Sequence, residues 1–268
     1  MEQSALRQGL KDALAHTPLY PLVKEVYRRT INRQYLHSRN QLLDFYGALV
    51  RKAGLVFDVG ANRGDFADVF LRLGARVVAV EPHPVCIKEL HSLYGHDSKF
   101  KVAACALGAA PGEAQLYLGE QGMDNVSTLS EDYRQMAKQL PGLAPAGWNQ
   151  SITVKVDTLD ALIATHGMPD FCKIDVEGFE LDVLRGLHRP LPMMQFEYQP
   201  WSVEKAVACI ECLEGQTAYR YNITMAANRD AKVALRPAWV DATGMIALLR
   251  ERVAAEGSAG DVFVSTSH

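Results

Sequence analysis

Short apolar runs and amphipathic stretches alternate from residue 55 to the C-terminal end of the chain. Leu55–Val59 and Arg76–Val80 are apolar runs of strand length, and both read as buried strands. After each comes a segment with apolar side chains at helical spacing, Asp65 to Leu73 closed by Gly74, and Pro84 to about Tyr94. Further strands are expected at Phe100–Cys105, Glu113–Leu118, Ile152–Val156, Phe171–Asp175, Met194–Tyr198, Tyr219–Thr224 and Asp261–Val264. Helices are expected at Leu159–His166, Glu180–Leu187, 203–213 and near 244–255. The stretch 119–150 shows neither period and reads as a long irregular loop. A loop of that length in a compact domain serves function or moves. Strands alternating with helices predict an α/β fold, a mostly parallel sheet with helices on both faces.

Residues 1–50 break this alternation. Leu6, Leu10, Leu14, Leu22 and Val26 recur at helical spacing, interrupted by Pro18 and Pro21. Lys24, Arg28, Arg29, Arg33 and Arg39 make the segment locally basic. The expected organisation is an N-terminal helical appendage over 1–50 and a main domain over 51–268. A helical cap with a solvated charged face is the plain interpretation of the appendage; docking on the main domain, lining a substrate entrance, or touching a partner or membrane surface are the others.

Composition narrows the class. The chain has 268 residues, 48% hydrophobic and 22% charged, as expected of a globular protein with core enough for one domain and an appendage. A net charge of −3 argues against a broad nucleic-acid-binding face. No apolar run has the length of a membrane span and no signal peptide precedes the first charges, so the expected location is the cytoplasm. Five cysteines, an odd number, sit mostly within apolar segments and read as reduced, buried thiols. Cys209 and Cys212 form a Cys-x-x-Cys pair on a helical pattern. No further ligands stand at zinc spacing, so a core helix is preferred there. A homo-oligomer is left open.

The most informative stretch is Leu55-Val-Phe-Asp-Val-Gly-Ala-Asn-Arg-Gly64, an apolar strand ending in Asp58 and entering a glycine turn and a helix N-terminus. Glycines let the backbone approach a ligand, and the first helical turn offers free N–H donors. The dinucleotide fingerprint fails, because Asn62 and Asp65 occupy its second and third glycine places, and no Gly-Lys-Ser/Thr loop is present. Glu81 ends the next strand about 20 residues beyond the turn, where an acid accepts hydrogen bonds from ribose hydroxyls. Together these features point to a nucleoside-type cofactor.

Lys173-Ile-Asp-Val-Glu-Gly-Phe-Glu180 is a second constellation, at the carboxyl end of a strand, the edge where open α/β sheets bind ligands. Strand alternation puts Lys173, Asp175 and Glu177 on one side. Such a cluster can be a general base with a substrate clamp, a divalent-metal site, or a hydrogen-bonded network tying loop to helix. Asp58-Val-Gly-Ala-Asn-x-Gly64, Val156-Asp-Thr-Leu-Asp160 and Lys173-Ile-Asp-Val-Glu-Gly-x-Glu180, in this order, resemble the FkbM family of S-adenosylmethionine-dependent methyltransferases. The resemblance covers roughly residues 54–200 and the final strand. It implies a class I methyltransferase-like, Rossmann-type fold and methyl transfer to hydroxyl oxygens of natural products or sugars. It further implies that Asp58, Gly60, Ala61, Asn62, Gly64, Glu81 and Pro82 hold S-adenosyl-L-methionine, with S-adenosyl-L-homocysteine as product. Asp175 and Glu177 are then the expected catalytic groups, with His83 as the alternative base.

Lys173, Glu197, Tyr198, Ser127 and Thr128 are the expected acceptor-side contacts. No dedicated metal ligands are assigned, although a divalent metal is left open. The expected function is an O-methyltransferase with a small-molecule or glycosyl acceptor and no nucleic-acid partner. Methylation of RNA or protein, or a non-catalytic nucleoside-binding module, are the alternatives.

Overall fold

The computed structural model describes residues 31–119, 126–139, 147–225, 234–253, 257 and 259–267. The chain divides into two compact units, Met1–Leu42 and Leu43–His268. Helix α1, Arg33–Tyr46, begins in the first unit, where the Asn32 side chain accepts from the N–H groups of Gln34 and Tyr35. The helical pattern expected from Leu6 to Val26 lies outside the described residues.

The second unit follows the expected alternation. Its elements run β1 (Leu55–Val59), α2 (Asp65–Arg72), β2 (Arg76–Val80), α3 (Pro84–Tyr94), β3 (Phe100–Ala103), β4 (Ala106–Leu107), β5 (Gly112–Leu118) and α4 (Glu131–Ala137). They continue as β6 (Gln150–Asp157), α5 (Leu159–His166), β7 (Phe171–Ile174), α6 (Glu180–Arg185), β8 (Met193–Tyr198), α7 (Val203–Glu214), β9 (Arg220–Met225), α8 (Ala242–Leu248) and β10 (Gly260–Ser265). Seven strands form the main sheet in the order β3-β2-β1-β7-β8-β10-β9. All its pairings are parallel except those of β10, which runs antiparallel to both neighbours. Strand order reverses between β1 and β7, the switch point at which such sheets open a crevice for ligands.

Three expectations are corrected. Residues 106–118 and 150–157 leave the main sheet and form a second one, β4-β6-β5. The stretch 119–150 is not wholly irregular: Ser130 caps α4 through a hydrogen bond from Tyr133 N–H, and Tyr117 and Thr128 form a β-bridge. The helix near 244–255 begins at Ala242 and gives way after Leu248 to a π-helical turn, Leu249–Val253.

The two faces of the main sheet differ. One face is apolar throughout: Phe57, Val59, Cys172, Ile174, Met194, Phe196, Tyr198 and Val262 pack with residues of α5, α6, α7 and α8. On the other face, register places Asp58 beside Lys173 and Lys173 beside Gln195. Aromatic rings cover this row, with Tyr46 in edge contact with Phe66, Phe70 and Phe171. Cys209 is buried in the apolar core and Cys212 half-buried beside it, and both are free thiols, as a core helix requires.

Candidate active site

The site sits where β1 and β7 deliver their chains into adjacent turns. After β1 the backbone takes the left-handed region at Gly60 (φ 80°), Asn62 (φ 47°) and Gly64 (φ 79°). At Gly60 a side chain is sterically excluded: a Cβ would lie 1.8 Å from the Asp175 carbonyl oxygen. Only glycine lets the β1 turn lie against the β7 turn this closely. At Gly64 a Cβ would meet Leu90 and Tyr94 of α3 at 2.7 and 2.9 Å. The turn is pinned from β2, where Val80 C=O accepts from Gly60 and Ala61 N–H and the Glu81 carboxylate accepts from Asn62 N–H at 2.7 Å. The second Glu81 oxygen accepts from His83 N–H at 2.8 Å. Burial pushes the Glu81 carboxyl up to about 7.

The β7 turn is built differently. Lys173 is buried, ion-paired to Asp175 at 2.7 Å, and its ammonium lies 4.2 Å from the Phe66 ring centre. Its charge also acts on Asp58, whose carboxyl is wholly buried and raised to about 6, chiefly by desolvation. Among the described residues neither Asp58 oxygen has a hydrogen-bond partner at normal geometry, although the nearby Ala67 N–H favours its ionised form. Glu177 and Gly178 both adopt positive φ, 53° and 88°. A non-glycine residue held there costs on the order of 1 kcal/mol and is held by its surroundings. Here Thr128 Oγ donates to the Glu177 carbonyl at 2.6 Å, the Tyr133 hydroxyl donates to the Glu177 carboxylate, and the Glu180 carboxylate accepts from Val176 and Gly178 N–H. Burial, and then the nearby Asp175 charge, push Glu177 up to about 8. Glu197 is also raised, by burial and by Asp175 and Glu177.

The two turns share one cavity of about 260 Å³. Of the residues named from sequence, Gly60, Ala61, Asn62, Glu81, Pro82, Ser127, Lys173, Asp175 and Glu177 lie on its wall. Asp58, Gly64, His83, Thr128, Glu197 and Tyr198 do not. Gly64 is the N-cap of α2, and the His83 ring caps α3 by accepting from Val85 N–H. Thr128 instead braces the Glu177 main chain. Tyr198, adjacent to Glu197 in β8, points to the opposite, apolar face and donates to Thr224 C=O, because neighbouring strand residues alternate sides. Ser127 Oγ accepts from Gly119 N–H.

Sequence reasoning missed Tyr133, which lies in the stretch read as loop, and the Tyr46–Gln195–Asp261 hydrogen-bond chain beneath the site. Asp261 carried a signal: an acid within an apolar strand. Among the described residues no three His, Cys, Asp or Glu side chains converge to hold a metal, and no helix is long and apolar enough to cross a membrane.

The wall suits a nucleoside-type cofactor. The Glu81 carboxylate spends one lone pair of each oxygen on the backbone and keeps acceptor capacity for ribose hydroxyls. Apolar Val80, Pro82, Cys105 and Leu107 line the cavity near it and suit the faces of a flat base. A switch-point crevice, a glycine turn after β1 and an acid after β2 define a class I, Rossmann-type methyltransferase fold. The chain belongs to the FkbM family of S-adenosylmethionine-dependent methyltransferases: the model of the methyltransferase FkbM domain matches residues 58–213.

Similar solved structures include precorrin-6y C5,15-methyltransferase from Geobacter metallireducens, with 11% identity, 85% of this chain and 87% of that chain covered, and a TM-score of 0.42. A TehB-like S-adenosylmethionine-dependent methyltransferase from Corynebacterium glutamicum shares 10% identity over 91% and 98% of the two chains, with a TM-score of 0.40. Aeropyrum pernix fibrillarin with natively bound S-adenosyl-L-methionine shares 10% identity over 81% and 68%, also with a TM-score of 0.40. Among curated proteins no sequence matches.

Proposed function

We propose that this methyltransferase transfers its methyl group to a hydroxyl oxygen of a small molecule, natural product or sugar. The observation that supports this most strongly is the shared cavity, in which Glu81 and the Gly60–Asn62 turn face the same space as Asp175 and Glu177. In this proposal Gly60, Ala61, Asn62, Glu81 and Pro82 hold S-adenosyl-L-methionine, while Asp58 and Gly64 shape the turn from behind. The bound cofactor supplies an electrophilic sulfonium methyl group. The chain supplies position and a base, and position accounts for much of the rate in a displacement of this kind.

Glu177 is the proposed base. A carboxylate raised to about 8 takes a hydroxyl proton more readily than an ordinary one, and its place on the cavity wall puts it within reach of an entering alcohol. Lys173 anchors the Asp175 carboxylate at the same wall, leaving its other oxygen to accept from a second, non-reacting hydroxyl of the acceptor and orient it. Glu197, whose carboxyl is raised by burial and by the Asp175 and Glu177 charges, holds its own proton beside them, while the Asp175 charge keeps Glu177 basic. His83, occupied as a helix cap and off the wall, is given no catalytic role. Residues 51–268 form the catalytic domain and 1–50 a helical appendage in this proposal, with the cytoplasm as the site of action.

Incubation with methyl-labelled S-adenosylmethionine and a panel of alcohols and sugars tests the reading. Label should appear in a base-stable methyl ether, and Asp175→Asn should abolish it. Label recovered in RNA or protein, with none in any small hydroxyl compound, would replace it with macromolecular methylation.

A further inference from the structure

We propose that Tyr133 is the positioning residue of the site: its phenol holds the Glu177 carboxylate in place and governs its proton affinity. This rests on Glu177 as the proposed base.

Three independent features converge on the contact. The Tyr133 hydroxyl donates to the Glu177 carboxylate across a sequence separation of 44 residues. The next residue, Gly178, is left-handed, and a Cβ there would lie 2.8 and 2.9 Å from Tyr133 Cβ and Cδ2. Glycine at 178 therefore serves two needs at once, the backbone conformation and the room for this tyrosine. From the same segment, Thr128 Oγ holds the Glu177 carbonyl at 2.6 Å. Side chain, main chain and following residue of Glu177 are thus all fixed by one segment, 128–133.

That segment has its own support. Val126, Tyr133, Ala137 and Trp148 form a small apolar cluster distinct from the main core, with Tyr117 and Trp201 packed against it. Trp148 Nε1 donates to Val126 C=O at 2.9 Å, closing the cluster, and Arg134 lies 4.2 Å from the Tyr117 ring centre. Tyr133 is the member of this cluster that reaches the reactive carboxyl. The ionisable groups that face Glu177 are Asp175, Glu180, Glu197 and Lys173. Three of the four are acids, so an uncompensated Glu177 would hold its proton, and the Tyr133 donor works against them by stabilising the ionised form. The resulting arrangement resembles a tuned base more than a structural tie: the phenol orients the carboxylate and sets the pH at which it can accept a proton.

The test needs no acceptor. Infrared difference spectroscopy across a pH titration follows the protonated-carboxyl band, with Glu177→Gln assigning the band that belongs to this residue. In the wild type that band should titrate near pH 8. In Tyr133→Phe, which keeps the ring beside Gly178, the midpoint should move upward by about one pH unit, the scale of a hydrogen bond to a charged group. Thermal unfolding of the same variant verifies that it folds. A band present in the wild type and unmoved in folded Tyr133→Phe would overturn the role of Tyr133 and leave Glu177 standing. No Glu177 band in the neutral to alkaline range would overturn the base assignment instead.

Discussion

The turns after β1 and after β7 are neighbours with opposite solutions to one problem, how to bring backbone to a ligand. The β1 turn reaches left-handed geometry through Gly60, Asn62 and Gly64, and its side chains withdraw: those of the two glycines are absent, and Asn62 caps its own successor by accepting from Arg63 N–H at 2.7 Å. The β7 turn reaches the same geometry at Glu177 and Gly178 while presenting an acid. One turn offers main-chain groups and the other offers carboxyls. The two touch where Gly60 lies against the Asp175 carbonyl. The proposed function divides labour within one crevice along this difference, a bare turn for the cofactor and a charged turn for chemistry.

That division is most sharply broken on the charged side. Asp175→Asn and Glu177→Gln should each lower turnover about 100- to 10,000-fold, the range of general base catalysis, in the labelled-methyl assay. Near wild-type turnover in both variants would remove this cluster from the chemistry. Gly60→Ala attacks the point of contact between the turns. A Cβ 1.8 Å from a carbonyl oxygen at a φ of 80° should cost about 3 kcal/mol or more, read as a lowered midpoint in denaturant unfolding. An unchanged midpoint would mean that the turns are not packed as described.

A smaller effect follows from pH. Glu81, Glu177 and Glu180 are raised by burial to about 7, about 8 and about 7, so the folded state binds protons that the unfolded chain releases above about 4.5. Their contribution is most favourable below the unfolded value and is lost as pH rises through the folded values. Free protein should therefore lose stability between about pH 5 and pH 8. At pH 8, Glu177→Gln should be more stable than wild type by about 2 kcal/mol, and its unfolding should depend less on pH. A stability that rises across this window would contradict the buried acidic cluster.

Much of this was legible in the sequence because it lay in local patterns. The β1 run with its glycine turn, the acid after β2 and the Lys173–Glu180 stretch are contiguous, and periodicity fixed the strands that carry them. What escaped depends on chain partners far apart. Nothing local marks Tyr133, since its role comes from a docked segment 44 residues before its partner. The separate β4-β6-β5 sheet escaped because strand periodicity identifies strands but not their neighbours. Tyr198 was placed with Glu197 by adjacency, yet the two alternate across the sheet, a distinction that alternation itself contained. His83 is the reverse case, an ionisable side chain near a cofactor turn whose ring closes a helix end.

The central claim is that the bare turn and Glu81 form the cofactor site while the charged turn serves the acceptor. Titration calorimetry of S-adenosylhomocysteine with Glu81→Ala tests it most directly. The affinity should be about 10- to 100-fold weaker, the scale of hydrogen bonds to a charged group, with the protein still folded. Binding as tight as wild type in folded Glu81→Ala would contradict it.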